Sequence, residues 1–506
     1  MASPETTSLE ATRTRLTFEL KRKLDSFREA LLSVGEEAGT AEGVEELLAA
    51  VRAAAGPSVE VTVLRQRGTG AADVLCRLRE GEGPQVELRV AVIGNVDAGK
   101  STLISVLTSH QLDDGRGSAR RKIFRHEHEQ DTGRTSSISQ LSMCFSSSGK
   151  CMNDEGSHRS VLTEELVNGA SKILTLVDLC GHERYLRTTC FGLTGHLPEY
   201  AMVLVGANAG LVGMCREHLG IVLALHIPAF FVVTKIDFSP EEVTRATMAD
   251  LTAVLKKPGV RKRPFIVRTL DDVYSAASNM ATDTIAPIFL VSSVDGRGLD
   301  RLRLFLNLLP QRIEWGLKEK LPAEFVIDEI FVVPGVGTVV AGTLTAGTLS
   351  ETSKLMLGPD PGDGLFKAVQ IRSIHYKRCP ATLVVAGQAA ALALKKIKRN
   401  SVRKGMVLCS PALSPAAAWE FDAEIAILTH SSTIAVRYQA VVHAGVVRQT
   451  AVIVSMSVDL LRSGDRAQVR FRFLLRPEYV QAGSRFIFRE GRTKGIGLVV
   501  NPPTAT

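Results

Sequence analysis

The pattern of apolar and polar positions changes character twice along this chain of 506 residues. In the middle, short runs rich in Val, Ile, Leu and Phe alternate with segments of helical spacing, which is typical of a doubly wound, mostly parallel α/β sheet. After Pro310 the helical spacing stops, and short strands separated by Gly and Pro turns predict two successive antiparallel β-barrels. The strands predicted for the middle region are Val86–Ile93, Lys172–Asp178, Ala201–Ala207, Ala229–Thr234 and Pro287–Ser292.

The same pattern predicts the limits of the domains. A small appendage spans residues 1–85, the α/β domain 86–314, the first barrel 321–412 and the second barrel 415–506. The strands predicted for the first barrel are Phe325–Val332, Gly337–Gly342, Lys354–Gly358, Val369–Tyr376, Gln388–Ala393 and Met406–Cys409. Those predicted for the second are Trp419–Leu428, Tyr438–His443, Arg448–Ser457, Arg466–Phe473 and Phe486–Arg489, after a linker at Pro411–Ala417.

The appendage is predicted to contain both helices and strands. Its first helix is indicated by apolar residues at helical spacing. These residues are Leu16, Leu20, Leu24, Phe27 and Leu31. A second helix is predicted over Ala41–Ala55, and strands over 59–63 and 73–79 are predicted to pair across the glycine turn at 68–70.

Composition narrows the class of protein only modestly. The net charge of +8 fits a partner that carries phosphates, and it fits an ordinary basic surface equally well. The eight cysteines show neither CxxC pairs nor zinc spacing, which indicates a reducing compartment. The longest charge-free apolar run, Leu219 to Thr234, is too short and interrupted to cross a bilayer. We therefore expect a monomeric cytoplasmic protein without a secretory signal or a membrane partner.

The first of five short motifs predicts a phosphate site. Gly94-x4-Gly99-Lys100-Ser101 follows a predicted strand and precedes an apolar-faced helix, which is the context of a P-loop. Its backbone N–H groups wrap the β-phosphate, Lys100 places a charge between the β- and γ-phosphates, and the Ser101 hydroxyl is a ligand for Mg²⁺. The predicted nucleotide contacts here are Asn95, Val96, Asp97, Ala98, Gly99, Lys100, Ser101 and Thr102.

Two further motifs predict sensors of the γ-phosphate. Asp178, at the end of a strand, is predicted to reach Mg²⁺ through water, and the Gly181 N–H to bond the γ-phosphate. His182 follows and is predicted to orient the attacking water. Thr135, in Gly133-Arg134-Thr135, lies in a stretch from Ser109 to Ser171 without periodicity. We predict a switch loop with mobile flanks there, and Thr135 as a ligand of Mg²⁺ and the γ-phosphate.

The last two motifs predict a guanine pocket. In Thr234-Lys235-Ile236-Asp237, the Asp237 carboxylate can accept from guanine N1–H and the exocyclic amine together, a paired donor edge that adenine lacks. The alkyl stem of Lys235 is predicted to lie along the base. Ser292 opens the loop whose backbone is predicted to cover guanine O6, and that loop continues through Ser293 and Val294. Together the motifs predict a switch driven by GTP and GDP.

These motifs, and others beyond them, resemble the translational GTPases of the elongation factor Tu and elongation factor 1-alpha superfamily. Gly335–Gly342 is similar to the start of the second domain of those factors, and Arg485–Gly497 to the closing strands of their third. A narrower resemblance, to the eukaryotic GTP-binding proteins one and two, rests on Gly115-Arg116-Gly117, Arg125–Glu129 and Gly133–Ser137. The resemblance implies a three-domain body, GTP hydrolysis stimulated by the ribosome, and delivery or surveillance of tRNA.

Three positions depart from that family pattern. Thr234 replaces an Asn that braces the base loop against the P-loop, so weaker nucleotide retention is expected. Arg134 replaces an apolar residue that would form a gate with Val96 in front of His182. Ala98 occupies a position that is often His.

The predicted function is a GTPase that is activated by a partner, because no arginine finger is obvious and such sites alone hydrolyse GTP slowly. The ribosome and aminoacyl-tRNA are the expected partners, with basic contacts to RNA. The candidate contacts are Arg437, Arg448, Arg470, Arg472, Lys494 and the run Lys395–Arg399. Two alternatives stay open. One is a GTPase-regulated scaffold that recruits RNA-decay or other proteins without tRNA, and the other is an ATP-using P-loop enzyme, against which Asp237 argues.

Overall fold

A computed structural model describes residues 4–35, 40–68, 70–124, 129, 135–153, 162–491 and 493–501. The chain divides into two compact units. The first comprises Met1–His182, Glu199–His218 and Pro228–Leu317, and the second Glu183–Pro198, Leu219–Ile227 and Lys318–Thr506.

The first unit begins with two helices beside a three-stranded antiparallel sheet. The helices are α1 (Pro4–Phe27) and α2 (Ala41–Ala55), and the sheet has the order β1 (Glu29–Val34), β3 (Ala71–Leu78), β2 (Val59–Arg67). The predicted continuation of the first helix to Leu31 is wrong. Arg28 adopts a left-handed φ of 60° that ends the helix, and Leu31 lies in β1 opposite Leu75.

This small sheet is tied to the rest of the first unit by buried charges. Glu29 on β1 accepts from Arg77 Nη2 at 2.9 Å and from Lys172 Nζ at 2.7 Å, and the side chains of Arg77 and Lys172 are fully buried. Lys172 also donates to the carbonyl oxygens of Asn307 and Leu309 at 2.9 and 2.6 Å. Burial lowers the pKa of Lys172 from 10.5 to about 8, while the Glu29 carboxylate opposes the shift.

The larger sheet of the first unit has seven strands, and its order confirms the doubly wound class. From one edge to the other the strands are β5 (Ser139–Phe145), β6 (Lys172–Asp178), β4 (Val86–Gly94), β7 (Tyr200–Gly206), β8 (Ala229–Thr234), β10 (Ile285–Leu290) and β9 (Arg263–Ile266). All pairs are parallel except β5 with β6. Strands β4, β6, β7 and β8 are buried along their whole length, which explains their unbroken apolar runs.

Strand β5 corrects one prediction. It lies inside the stretch that was predicted to be a loop. The strand was missed because its sequence contains Ser, Gln, Met and Cys and few residues that strongly favour strands. The four-residue strand β9 was also not predicted. The helices of this part of the chain are α3 (Lys100–Ser109), α4 (Ser118–Arg121), α5 (Glu164–Asn168), α6 (Leu186–Gly195), α7 (Gly213–Ala224), α8 (Glu241–Lys256), α9 (Leu270–Met280), α10 (Leu299–Leu308) and α11 (Trp315–Lys318), with a 3₁₀ turn at Glu183–Tyr185.

The second unit contains two antiparallel β bodies. The first is β11 (Glu324–Val333), β12 (Gly337–Ala346), β13 (Thr348–Ser350), β14 (Lys354–Gly358), β15 (Lys367–Tyr376), β16 (Cys379–Ala381), β17 (Leu383–Val385), β18 (Ala389–Leu394) and β19 (Val407–Cys409). Its sheet closes on itself through the pairing of β14 with β15. The short strands β13, β16 and β17 were not predicted, since three residues carry little periodicity.

The other β body is a closed six-stranded barrel. Its strands are β20 (Glu420–Thr429), β21 (Gln439–Ala444), β22 (Val447–Met456), β23 (Arg466–Phe473), β24 (Arg485–Glu490) and β25 (Thr493–Asn501). Gly495 on β25 allows close packing, because a Cβ there would lie 2.1 Å from Phe488 Cζ. This part of the unit also contains 3₁₀ turns at Arg399–Ser401 and Pro411–Leu413, and helix α6 with the turn at Glu183–Tyr185 belongs to the same unit. No helix in the described part of the chain combines the length and apolar character needed to span a bilayer.

Candidate nucleotide-binding site

The P-loop residues lie between the end of β4 and the start of α3. Asp97 and Gly99 take positive φ angles of 61° and 82°, which turn the loop back on itself. Lys100 Nζ donates to the carbonyl oxygens of Gly94 at 3.2 Å and Asn95 at 2.8 Å. Its side chain therefore lies against the backbone of the P-loop. Burial lowers the pKa of the Lys100 ammonium, and the negative charge of Asp178 opposes that shift.

Three side-chain oxygens converge next to Lys100. Ser101 Oγ donates to Asp178 Oδ2 at 2.6 Å and lies 2.8 Å from Thr135 Oγ1. Thr135 Oγ1 is itself 3.4 Å from Asp178 Oδ2. The other oxygen, Asp178 Oδ1, is buried and has no hydrogen-bond partner among the described residues. Burial raises the pKa of Asp178 to about 6. A cluster of hard oxygens with one unmatched carboxylate oxygen fits a Mg²⁺ ion.

The backbone at Gly181 lies so close to the P-loop that only glycine fits there. A Cβ at this position would lie 2.4 Å from Lys100 Nζ and 2.8 Å from the carbonyl oxygen of Gly94. The half-buried His182 follows and faces the same open cleft. The lining of that cleft is Val96, Asp97, Gly99, Lys100, Ser101, Thr102, Arg120, Thr135, Gly181 and His182.

The base motif is joined to the P-loop by a side chain. The buried hydroxyl of Thr234 donates to the carbonyl oxygen of Ala98 at 2.8 Å. Thr234 replaces the asparagine of the family pattern, and it still connects the base motif to the P-loop through this one hydrogen bond. Lys235 takes a left-handed φ of 61°, and Asp237 is exposed at the end of the motif. No hydrogen bond or ion pair of the Asp237 carboxylate involves another described residue, so both oxygens can accept from a ligand.

The second base loop is shaped by Ser292. Its buried Oγ accepts from the N–H groups of Val294 and Asp295, each at 3.1 Å. The carbonyl oxygen of Ser293 accepts from Asp113 N at 2.8 Å. The base residues follow the neighbouring strands β8 and β10, and they lie outside the lining of the phosphate cleft.

Sequence reasoning gave no role to Glu129. Its carboxylate is buried, and Oε1 accepts from Ser136 N at 2.7 Å and from Ser137 N at 3.1 Å. This bonding fixes the backbone directly after Thr135. An acid inside an aperiodic polar segment gives no local signal of such a role. Residues 125–128 and 130–134 lie outside the described residues, and with them Arg134, which replaces the apolar gate residue of the family pattern.

The fold and these strand-end motifs define the class of translational GTPases, which bind GTP and GDP and hydrolyse GTP. Residues 86–319 match the family described as elongation factor Tu GTP binding domain. The chain is 48% identical over 496 residues to GTP-binding protein 1 of Xenopus laevis, an alignment of 96% of this chain and 75% of that protein. It is 43% identical over 512 residues to GTP-binding protein 2 of Homo sapiens, covering 97% and 84% of the two chains. The chain belongs to this family of GTP-binding proteins within the elongation factor Tu-type GTPases.

A solved structure supports the fold. Translation elongation factor SelB of Methanococcus maripaludis, in complex with the GTP analogue GppNHp, superposes with a TM-score of 0.58. The match covers 83% of this chain and 80% of the other at 19% identity. The resemblance in fold therefore extends beyond the GTP-binding domain.

Proposed function

We propose that this protein is a magnesium-dependent GTP switch that binds aminoacyl-tRNA and acts on the ribosome. The observation that carries the proposal is the convergence of Ser101, Thr135 and Asp178 oxygens beside the buried Lys100. Those groups come from three separated segments of chain, and such an arrangement suits the Mg²⁺ and phosphates of a nucleoside triphosphate.

Each site residue has a role in this proposal. Lys100 and the N–H groups of residues 95–102 hold the β- and γ-phosphates, and the Gly181 N–H bonds the γ-phosphate. Ser101 and Thr135 would hold Mg²⁺ directly and Asp178 through water, and the ion would neutralise charge on the phosphates. His182 orients the attacking water from the wall of the cleft.

The switch operates through Thr135. Its hydroxyl contacts Ser101 and Asp178 in the site, while Glu129 fixes the backbone of the next two residues. With GTP bound, Thr135 would be held in place through the γ-phosphate and Mg²⁺, and it would be released once hydrolysis removes that phosphate. Intrinsic turnover of such a site is on the order of 10⁻³ per second or slower, so the ribosome is the proposed activator.

Nucleotide competition and one variant test the site. GTP should displace a bound fluorescent guanine nucleotide, and ATP should not. Asp237→Asn should lose GTP affinity and gain affinity for xanthosine triphosphate, because the amide can donate to the C2 carbonyl of xanthine. His182→Ala should bind GTP like the parent protein and lose stimulated hydrolysis. Equal binding of ATP and GTP by the parent would contradict the proposed site.

The basic residues of the second unit differ in how available their charges are to an RNA backbone. Arg470 makes a bidentate pair with Asp422, at 2.7 and 2.8 Å, which reduces its availability to a phosphate. Arg437, Arg448 and most of the run Lys395–Arg399 are exposed. These residues are the stronger candidates for contacts to the RNA backbone.

Cosedimentation distinguishes the proposal from a scaffold without tRNA. Ribosomes should retain the protein with a non-hydrolysable GTP analogue and release it with GDP. Filter binding should show the same preference for aminoacyl-tRNA, and it should weaken as salt is raised. Nucleotide-dependent capture of proteins without ribosome or tRNA binding would favour the scaffold.

A further inference from the structure

One cation of the phosphate cleft has no part in the function proposed above. Arg120 lies on the short helix α4 and lines the cleft together with Lys100, Ser101, Thr135 and His182. The sequence offered no candidate arginine, because Arg120 lies in none of the phosphate or base motifs, and the Gly115-Arg116-Gly117 motif before it carried no predicted role. Only the fold brings it to the phosphate end of the site.

The position of Arg120 is set by the turn that precedes it. The buried carboxylate of Asp113 accepts from Gly115 N and Gly117 N at 3.1 Å each and from Ala119 N at 2.9 Å. These bonds hold residues 113–119 as a compact turn at the start of α4. Asp113 N also donates to Ser293 O, which ties the turn to the second base loop.

Gly117 lets the guanidinium fold over this turn. A Cβ at Gly117 would lie 2.6 Å from Arg120 Nε and 3.0 Å from Cζ, and the residue has a φ of 86°. The Gly115-Arg116-Gly117 motif thus acquires a structural reason, since glycine at 117 leaves space for the Arg120 head group.

Arg120 also lacks a carboxylate partner within the described residues. No ion pair or side-chain hydrogen bond of its guanidinium is made there, although Arg120 is only partly exposed. A guanidinium presents several N–H donors in a plane and suits phosphate oxygens. A half-buried cation on the wall of a cleft built for a polyphosphate is therefore placed to contact that anion.

We propose that Arg120 is a second phosphate-contacting cation of the site, which acts with Lys100 on the phosphates beyond the α-phosphate. This inference rests on the proposed nucleotide site. Arg120 directly follows the turn at residues 113–119. Nucleotide affinity would therefore depend on that turn as well as on the P-loop.

Calorimetric titration of the full chain with GTP, GDP and GMP tests the assignment. Arg120→Ala and Arg120→Gln should each lower GTP affinity about tenfold or more, because hydrogen bonds between charged groups are lost. GMP affinity should change less than about twofold, and Arg120→Lys should recover part of the GTP affinity. Arg121→Ala is the matched control, an exposed arginine on the same helix that does not line the cleft, and it should bind all three nucleotides like the parent.

The outcomes separate this inference from the function on which it depends. GTP affinity of Arg120→Gln within twofold of the parent would overturn the inference, as would an equal loss for GMP and GTP. A parent protein that binds no guanine nucleotide would contradict the proposed site itself. Thermal melting without nucleotide should be the same for the parent, Arg120→Gln and Arg121→Ala, and a selective loss of GTP affinity then reports a lost contact.

Discussion

The Glu29→Gln substitution should destabilise the first unit strongly, because it removes the carboxylate shared by two buried cations. Glu29 accepts from Arg77 at 2.9 and 3.1 Å through one oxygen and from Lys172 at 2.7 Å through the other. Glutamine keeps the shape but is neutral and has one acceptor oxygen. Breaking a buried ion pair on one side typically costs about 3–5 kcal/mol of unfolding free energy.

A nearby exposed pair gives the matched control. Glu60, on strand β2 of the same three-stranded sheet, pairs with Arg79 at 2.8 Å, and the side chains of these two residues are 33% and 52% exposed. Glu60→Gln should therefore cost about 1 kcal/mol or less, since exposed pairs contribute little. The difference between the two variants isolates the effect of burial.

The assay must report the first unit alone, because a chain with two units need not unfold in one step. The protein has two tryptophans, and Trp315 is buried in the first unit while Trp419 is 43% exposed in the second. In a Trp419→Phe background, urea unfolding followed by tryptophan fluorescence reports Trp315. Glu29→Gln should lower the urea midpoint far more than Glu60→Gln.

The pH dependence adds a second readout. The pKa of Lys172 is about 8 in the folded protein and 10.5 ordinarily, so the folded state holds fewer protons between these values and stability rises with pH there. Without the Glu29 charge the pKa of Lys172 falls further. The difference in unfolding free energy between Glu29→Gln and the parent should therefore narrow from pH 7 to pH 10. The change is about 1.4 kcal/mol for each pH unit of additional shift. A Glu29→Gln protein within 1 kcal/mol of the parent at pH 7 would refute the reasoning.

Three further predictions concern the site and the second barrel. Gly181→Ala should lower GTP affinity about tenfold or more in calorimetry while GDP binding falls less, because its Cβ would displace Lys100 Nζ. Thr234→Val should weaken GTP and GDP alike by about fivefold, since it removes the bond of about 1 kcal/mol to Ala98, and Thr234→Asn should strengthen binding; unchanged affinity in both would contradict a brace. Burial and nearby arginines lower the pKa of His443 from 6.5 to about 3, so this histidine stays neutral in the folded protein. Below pH 6.5 the unfolded state binds a proton there and the folded state does not, so the protein loses stability as the pH falls. Melting curves should show about 2 kcal/mol less stability at pH 5 than at pH 6.5, and His443→Phe should remove this part of the pH dependence.

The sequence predicted most of the nucleotide-site elements because their signals are local. The P-loop needs its strand, its glycines and its helix within a short stretch, and the structure has β4 ending at Gly94 and α3 beginning at Lys100. The strands β6 and β8 were predicted with the bounds that the structure shows, since buried parallel strands are continuous apolar runs. The sequence also predicted which motifs follow strands, and motifs at the carboxyl ends of parallel strands share one edge of the sheet.

Helix ends and edge strands were harder to predict. Leu31 continues the helical spacing of α1. The left-handed backbone conformation of Arg28 nevertheless ends the helix, and Leu31 lies in strand β1. Strand β5 has a mixed polar pattern, and its conformation depends on hydrogen bonds to β6 rather than on its own residues.

By itself, therefore, the sequence determined the class of fold, the order of the elements and the residues most suited to phosphate, metal and guanine. Only the tertiary structure decided which distant side chains share a site. Glu29 meets Lys172 across 143 positions of sequence, and Thr234 reaches Ala98 across 136. Arg120 likewise enters the phosphate cleft through a turn held by Asp113. Periodicity and spacing describe the geometry of one element, whereas these contacts depend on how the elements pack, and packing is a property of the folded chain as a whole.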